Sequence, residues 1–176
     1  MKGNFLTIAL TRPDFFPRES EIIEGLLSSG KVSFVHIRKP GASSLQIEKL
    51  IEQIDASFHP FLKLHDAFSL IEKYSLGGIH LNSRNPEPYP GTNSISISFH
   101  NLKDIENSDS FDYFFISPVY DSISKKGYNA KFNLKVLSEN IKGKKAIALG
   151  GVTPEKIPEL KDLGFIGAAM LGYYFP

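Results

Sequence analysis

Eight short apolar runs recur along this chain, and most of the gaps between them have the spacing of amphipathic helices. The runs are 5–10 FLTIAL, 32–38 VSFVHIR, 61–65 FLKLH, 78–82 GIHLN, 94–98 SISIS, 113–118 YFFISP, 145–150 KAIALG and 167–171 GAAML. The helical stretches are 19–30, 43–54, 66–75, 101–107, 134–141 and 153–164. Of these, 43–54 opens on a serine cap, and 153–164 opens on Thr153 with Pro154 at the first helical position. Strands that alternate with helices pair in parallel, so the pattern predicts an α/β fold. Eight strands predict a compact (β/α)8 TIM barrel, with a doubly wound open sheet as the alternative. The chain is short for such a barrel, which usually takes roughly 200 residues or more. Two economies are visible. The stretch SRNPEPYPGTN (83–93) holds three prolines and cannot be a helix interior, and only five residues follow run eight. The expected form is therefore a single domain, 1–176, that lacks some outer helices.

Composition narrows the function classes. With 41% apolar residues the chain can bury a core, and 20 basic against 19 acidic side chains give a net charge of +1. Such a balance offers no global field to nucleic acid or to an anionic membrane, so any basic site is local. There is no cysteine, which removes disulfides, thiolate metal sites and a cysteine nucleophile. The apolar piece FLTIAL is too short for a signal-peptide core, and no run approaches membrane-spanning length. The expectation is a soluble, cytoplasmic protein with no nucleic-acid or membrane partner.

Ligands of parallel α/β folds sit at the carboxyl ends of the strands. Those ends carry His36, Arg38 and Lys39 (run two), His65 and Asp66 (run three), Asn82 and then Asn85 (run four), Ser98 (run five) and Gly150-Gly151 (run seven). Run six leads into ISPVYDSISKKGY (116–128), where Ser122, Ser124, Lys125 and Lys126 crowd together before a glycine. Each feature has a plain structural alternative. Asp66 could cap a helix, Gly150-Gly151 could serve a tight turn, and 116–128 could be a solvated loop. Together they describe one rim suited to a highly anionic phosphate compound, with Mg²⁺ as a possible companion. The glycine pair would add backbone N–H groups for a second phosphate.

The order and spacing of these segments resembles the thiamine phosphate synthase and thiazole tautomerase family over nearly the whole chain. The resemblance is carried by VHIRKPG, LHDAFSLI, GGIHLNSRN, SISFH, ISPVYDSISKKGY, AIALGGVTPEKI and GFIGAAMLGYYF. It implies a transferase of thiamine biosynthesis that couples an aminopyrimidine methyl diphosphate to a thiazole phosphate and releases pyrophosphate. It also implies roles for particular residues. His36, Arg38, His65 and Lys125 would hold the diphosphate, with Lys39 beside them, and Ser98 would touch the departing group. Asp66 and Asn85 would hold Mg²⁺. Ser122 and Ser124 would face the thiazole phosphate, to which Gly150, Gly151, Met170 and Leu171 would turn backbone donors. Arg38, Ser98 and Lys125 are the expected catalytic residues.

The chain departs from the family pattern at several of these positions. Pro40 stands where the synthases have a lysine, His65 where they have an asparagine, and Asn82-Ser83 where they have Gly-Gln. Asn85 replaces the second magnesium carboxylate, and Pro118 stands where the tautomerase branch carries its catalytic histidine. A thiazole-phosphate tautomerase-like isomerase and a catalytically silent phosphate-binding paralogue are the alternatives. The missing helices leave outer wall under-covered, which predicts a homodimer through Tyr173, Tyr174, Phe175 and the region of Tyr89, with Phe15 and Phe16 nearby. The other outcome is that the tail folds back over its own gap.

Overall fold

The computed structural model describes residues 4–121 and 129–175. Eight parallel strands close into a barrel in sequence order: β1 (Leu6–Leu10), β2 (Phe34–Ile37), β3 (Leu62–Leu64), β4 (Gly78–Leu81), β5 (Ile95–Phe99), β6 (Tyr113–Ile116), β7 (Ala146–Leu149) and β8 (Gly167–Met170). Every strand falls on one of the eight runs. Closure joins β8 to β1, with Leu6 opposite Gly167 and Ile8 opposite Ala169.

The outward faces of the strands are covered unevenly. Helices α1 (Glu19–Ser28) and α2 (Ser44–Glu52) lie over β1–β3, where Ile23, Ile47 and Ile51 pack on Val35, Ile37 and Leu62. Ser43 caps α2 as expected, accepting from the Gln46 N–H, while the Gln46 side chain accepts in return from the Ser43 N–H. On the far side α4 (Leu134–Ile141) and α5 (Ile157–Asp162) bring Leu137, Ile141 and Leu160 against Phe114, Ile116 and Ala148.

Elsewhere the helical layer thins. The stretch 66–75 yields only α3 (Leu70–Tyr74), because Ala67 takes a left-handed conformation (φ 55°) and a helix cannot pass through it. Stretch 101–107 becomes a 3₁₀ helix, Leu102–Ser110, and 153–164 opens with a 3₁₀ turn in which the Thr153 hydroxyl makes no cap. No helix joins β4 to β5, nor follows β8 within the described residues. The chain fills part of that gap itself. Phe175 is buried against the α1–α2 side, edge-on to Phe16 with ring centroids 6.1 Å apart. The carboxyl-terminal aromatics are therefore not a uniformly exposed patch: Phe175 is a core residue and Tyr173 is 51% exposed. No helix among the described residues is long and apolar enough to cross a membrane.

The barrel interior divides in two. Ile8 and Leu10 of β1, Phe115 of β6, Ile147 of β7 and Ala169 of β8 form an apolar cluster. Strands β2–β5 instead send inward His36, Lys63, His80 and Ser96, with His65 and Ser98 at the upper ends. That polar half leads to the barrel mouth.

Candidate active site at the barrel mouth

The polar half is held by two runs of hydrogen bonds that meet in a stacked pair of imidazoles. Ser98 Oγ lies 2.8 Å from His80 Nε2, and His80 Nδ1 lies 2.9 Å from Ser96 Oγ. The Tyr113 hydroxyl, on the strand beside Ser96, is 2.7 Å from His36 Nε2, and His36 Nδ1 is 3.0 Å from His65 Nε2. His65 and His80 stack with centroids 4.2 Å apart. Burial, with the neighbouring positive charges as a smaller cause, pushes all three imidazoles well down, His80 to about 3. They are neutral at physiological pH. Below them Lys63 bonds Ser94 and lies over the rings of Phe34 and Tyr113, and burial pushes its ammonium down to about 8.

This wall corrects two expectations. His36 does not reach the mouth: it is fully buried and both ring nitrogens are engaged within the barrel. His65 is also buried and uncharged, so neither supplies positive charge to a diphosphate. The three imidazoles bring ligand atoms within 4.8 Å of one another. Five of their six nitrogens, all but His65 Nδ1, are engaged by hydroxyls and by each other, and the arrangement reads as a hydrogen-bond network.

Lys39 is a third correction. Strand alternation turns it away from its neighbour, and its ammonium is wholly buried, donating to the carbonyls of Arg12 and Asp14 and to the Glu19 carboxylate at 2.6 Å. It ties the β1–α1 connection to the end of β2. Arg38 is half-buried at the mouth, and among the described residues its guanidinium has no hydrogen-bond or ion-pair partner. It lies close enough to Arg84 and Asp66 to feel both charges: burial and Arg84 push its pKa down, Asp66 up.

The expected magnesium residues sit together. After β4 the backbone closes a tight turn through reciprocal N–H donation between Asn82 and Asn85. The side-chain amides of both asparagines donate to the His65 carbonyl at the end of β3, at 2.7 and 3.0 Å. Arg84, next to the apex, donates to both oxygens of Asp66 at 3.1–3.2 Å, and Asn85 Nδ2 donates to Oδ1 at 3.0 Å. Asp66 is therefore not the cap of α3. Nor does the donor set fit Mg²⁺, which takes an octahedron of oxygens. Both carboxylate oxygens are already occupied by a cation, and both partners of the Asn85 amide are pure acceptors, so it presents NH₂.

Across the mouth, Gly150 and Gly151 have φ of +94° and +61°. A Cβ on Gly151 would lie 2.1 Å from the Asp121 carbonyl oxygen, so only glycine lets the end of β7 pass against the chain leaving β6. Met170 is buried on the outer side, and Leu171 packs against the interior cluster. Ser122, Ser124 and Lys125 lie outside the described residues.

Tyr113, Ser96 and Arg84 are absent from the sequence-derived rim. Tyr113 stands at the start of β6, two residues before Phe115, so strand alternation alone would have put it inward. Arg84 had a signal too: it is the cation next to the one departure, Asn85, that removes a carboxylate.

A model of the thiamine monophosphate synthase family matches residues 8–172. Among solved structures, thiamine phosphate pyrophosphorylase from Bacteroides thetaiotaomicron is 34% identical with a TM-score of 0.81, covering 95% of this chain and 83% of that one. Thiamine phosphate pyrophosphorylase from Pyrococcus furiosus is 16% identical with a TM-score of 0.76, covering 97% and 87%, a likeness of fold. The same holds for (S)-3-O-geranylgeranylglyceryl phosphate synthase from Thermoplasma acidophilum, at 16% identity and a TM-score of 0.64, covering 98% and 87%. No curated protein matches the chain.

Proposed function

The chain belongs to the thiamine monophosphate synthase family, and from that membership we propose that it forms thiamine phosphate from an aminopyrimidine methyl diphosphate and a thiazole phosphate. The observation that carries this reading is Arg38: a half-buried guanidinium at the mouth with no partner of its own among the described residues. An unpaired cation so placed suits an anionic ligand, since a planar fork of donors matches phosphate oxygens.

In the proposed reaction the C–O bond between the pyrimidine methylene and the diphosphate breaks, and the electron pair leaves with the diphosphate. The thiazole nitrogen donates its lone pair to the methylene carbon, forming the C–N bond. No proton needs to move. Catalysis is then mostly stabilisation of the departing charge. Arg38 supplies charge to the diphosphate, and by resemblance Lys125 adds to it. Ser98, braced by His80, adds a hydroxyl on the polar wall. Ser122, Ser124 and the backbone of Gly151, Met170 and Leu171 take the thiazole phosphate. The apolar half of the barrel underlies the mouth and keeps water from below.

The test supplies both phosphorylated precursors and Mg²⁺ and follows thiamine phosphate by chromatography. Product is expected, with Arg38→Ala lowering kcat/KM by about 100-fold, within the range for losing one charge-stabilising group. Wild-type protein that makes no thiamine phosphate overturns the reading. The same reading includes a homodimer, with exposed Tyr173 at the contact; sedimentation that finds only monomer at micromolar concentration removes that part.

A further inference from the structure

We propose that Arg84 takes the place of the metal ion at this mouth, so that the diphosphate is bound without Mg²⁺. The proposal rests on the synthase reading for its ligand class and extends it to the source of the charge.

Three observations converge. The Arg84 guanidinium spends Nε and Nη2 on Asp66, and its Nη1 has no partner among the described residues. One edge of the fork is fixed to the protein, and the group keeps donors for a ligand. Its side chain is 40% exposed while that of Asp66 is 14% exposed, so the cation lies on the solvent side of the carboxylate, where a ligand arrives. Arg38, at the neighbouring strand end, is near enough to feel both charges and has no ion-pair partner among the described residues. Two guanidiniums with one carboxylate leave an excess of one positive charge, which a diphosphate satisfies.

Charge arithmetic agrees. Relative to a pair of carboxylates, asparagine at 85 removes one negative charge and arginine at 84 adds one positive charge. The swing of two units equals the charge of the divalent ion it would replace. The geometry also locks this choice, because Asn85 turns its NH₂ toward Asp66 and reinforces the same carboxylate that Arg84 holds. A guanidinium is charged at any physiological pH and needs no dehydration of a tightly hydrated ion.

Pyrophosphate binding by calorimetry tests this on the full chain, in EDTA and in millimolar Mg²⁺. The wild type is expected to bind pyrophosphate in EDTA, and Arg84→Ala to bind at least tenfold more weakly there, the usual scale for a hydrogen bond to a charged group. Arg84→Lys, which keeps the charge but not the fork, should fall between them. The double variant Arg84→Ala/Asn85→Asp restores two carboxylates and should bind Mn²⁺, read by electron paramagnetic resonance, where the wild type does not. Wild-type binding that vanishes in EDTA and returns with Mg²⁺ overturns the proposal, as does unchanged affinity in Arg84→Ala or no pyrophosphate binding in either buffer. Product formation separates the two readings. Synthesis that requires Mg²⁺ ends this proposal and leaves the synthase, whereas metal-free, Arg84-dependent pyrophosphate binding without synthesis ends the synthase and leaves the anion site.

Discussion

The two halves of the barrel interior share one architecture and use opposite chemistry. On β1 and β6–β8 the inward side chains are mostly apolar, Ile8, Leu10, Phe115, Ile147 and Ala169, held by close contact, with the Tyr113 hydroxyl of β6 reaching across to His36. On β2–β5 they are His36, Lys63, His80 and Ser96, held by hydrogen bonds that run to the mouth. Apolar packing tolerates small adjustments of position, whereas a buried polar group costs free energy whenever a partner is lost. The apolar half can therefore serve mainly as support, while the polar half fixes the orientation of Ser98. Side by side, the two halves show where this fold spends stability to obtain position.

The largest expected effect breaks the supporting half. Phe115 is fully buried and its ring leans on both His36 and His80. Phe115→Ala should cost about 3–5 kcal/mol in urea unfolding at pH 7.5 through the cavity it leaves. A loss under 1 kcal/mol would mean that the interior is not packed as described.

Acid should act on the other half. The folded-state pKa values of His36, His65 and His80 are all depressed, His80 to about 3. Above the ordinary value of about 6.5 the histidines are neutral in both states, and their contribution to stability is complete. Below it the unfolded chain takes up protons that the folded barrel refuses, so stability falls as pH falls toward the folded values. The drop between pH 7.5 and 5.5 should be on the order of a few kcal/mol. His80→Gln should remove about a third of it. A flat stability profile across that window would show that the histidines protonate in place.

A smaller change sharpens the contrast. Tyr113→Phe keeps the ring and removes only the hydroxyl that meets His36 Nε2. The expected cost is about 1–3 kcal/mol, from the polar partners left unsatisfied.

The fold was legible in the sequence because it depends on periodicity. Every apolar run became a strand, and the proline-broken stretch 83–93 carries no helix. Helix 66–75 shrank to five residues because a left-handed Ala67 is a tertiary choice that no local pattern announces. The site was legible only in part. Strand ends showed which residues reach the rim, and so Arg38, Asp66 and Asn85 came together. Depth and pairing were not visible: Lys39 and Arg38 are adjacent cations, yet alternation sends one into a buried ion pair and the other to the mouth. His36 looked like a rim histidine until its partners placed it beneath.

The Ser98–His80–Ser96 segment has a consequence for how occupancy of the mouth is recorded. A neutral imidazole owns one proton for two nitrogens, so its two neighbours must play opposite roles. When Ser98 gives its proton to an anion, His80 Nε2 must carry a proton to reach Ser98, and Nδ1 must accept one from Ser96. Ser96 then releases the Ile79 carbonyl, to which it otherwise donates at 3.1 Å. No heavy atom has to move. An anion that takes a hydrogen bond from Ser98 is thus expected to change the tautomer of His80, and the nitrogen chemical shifts of that buried histidine would report it.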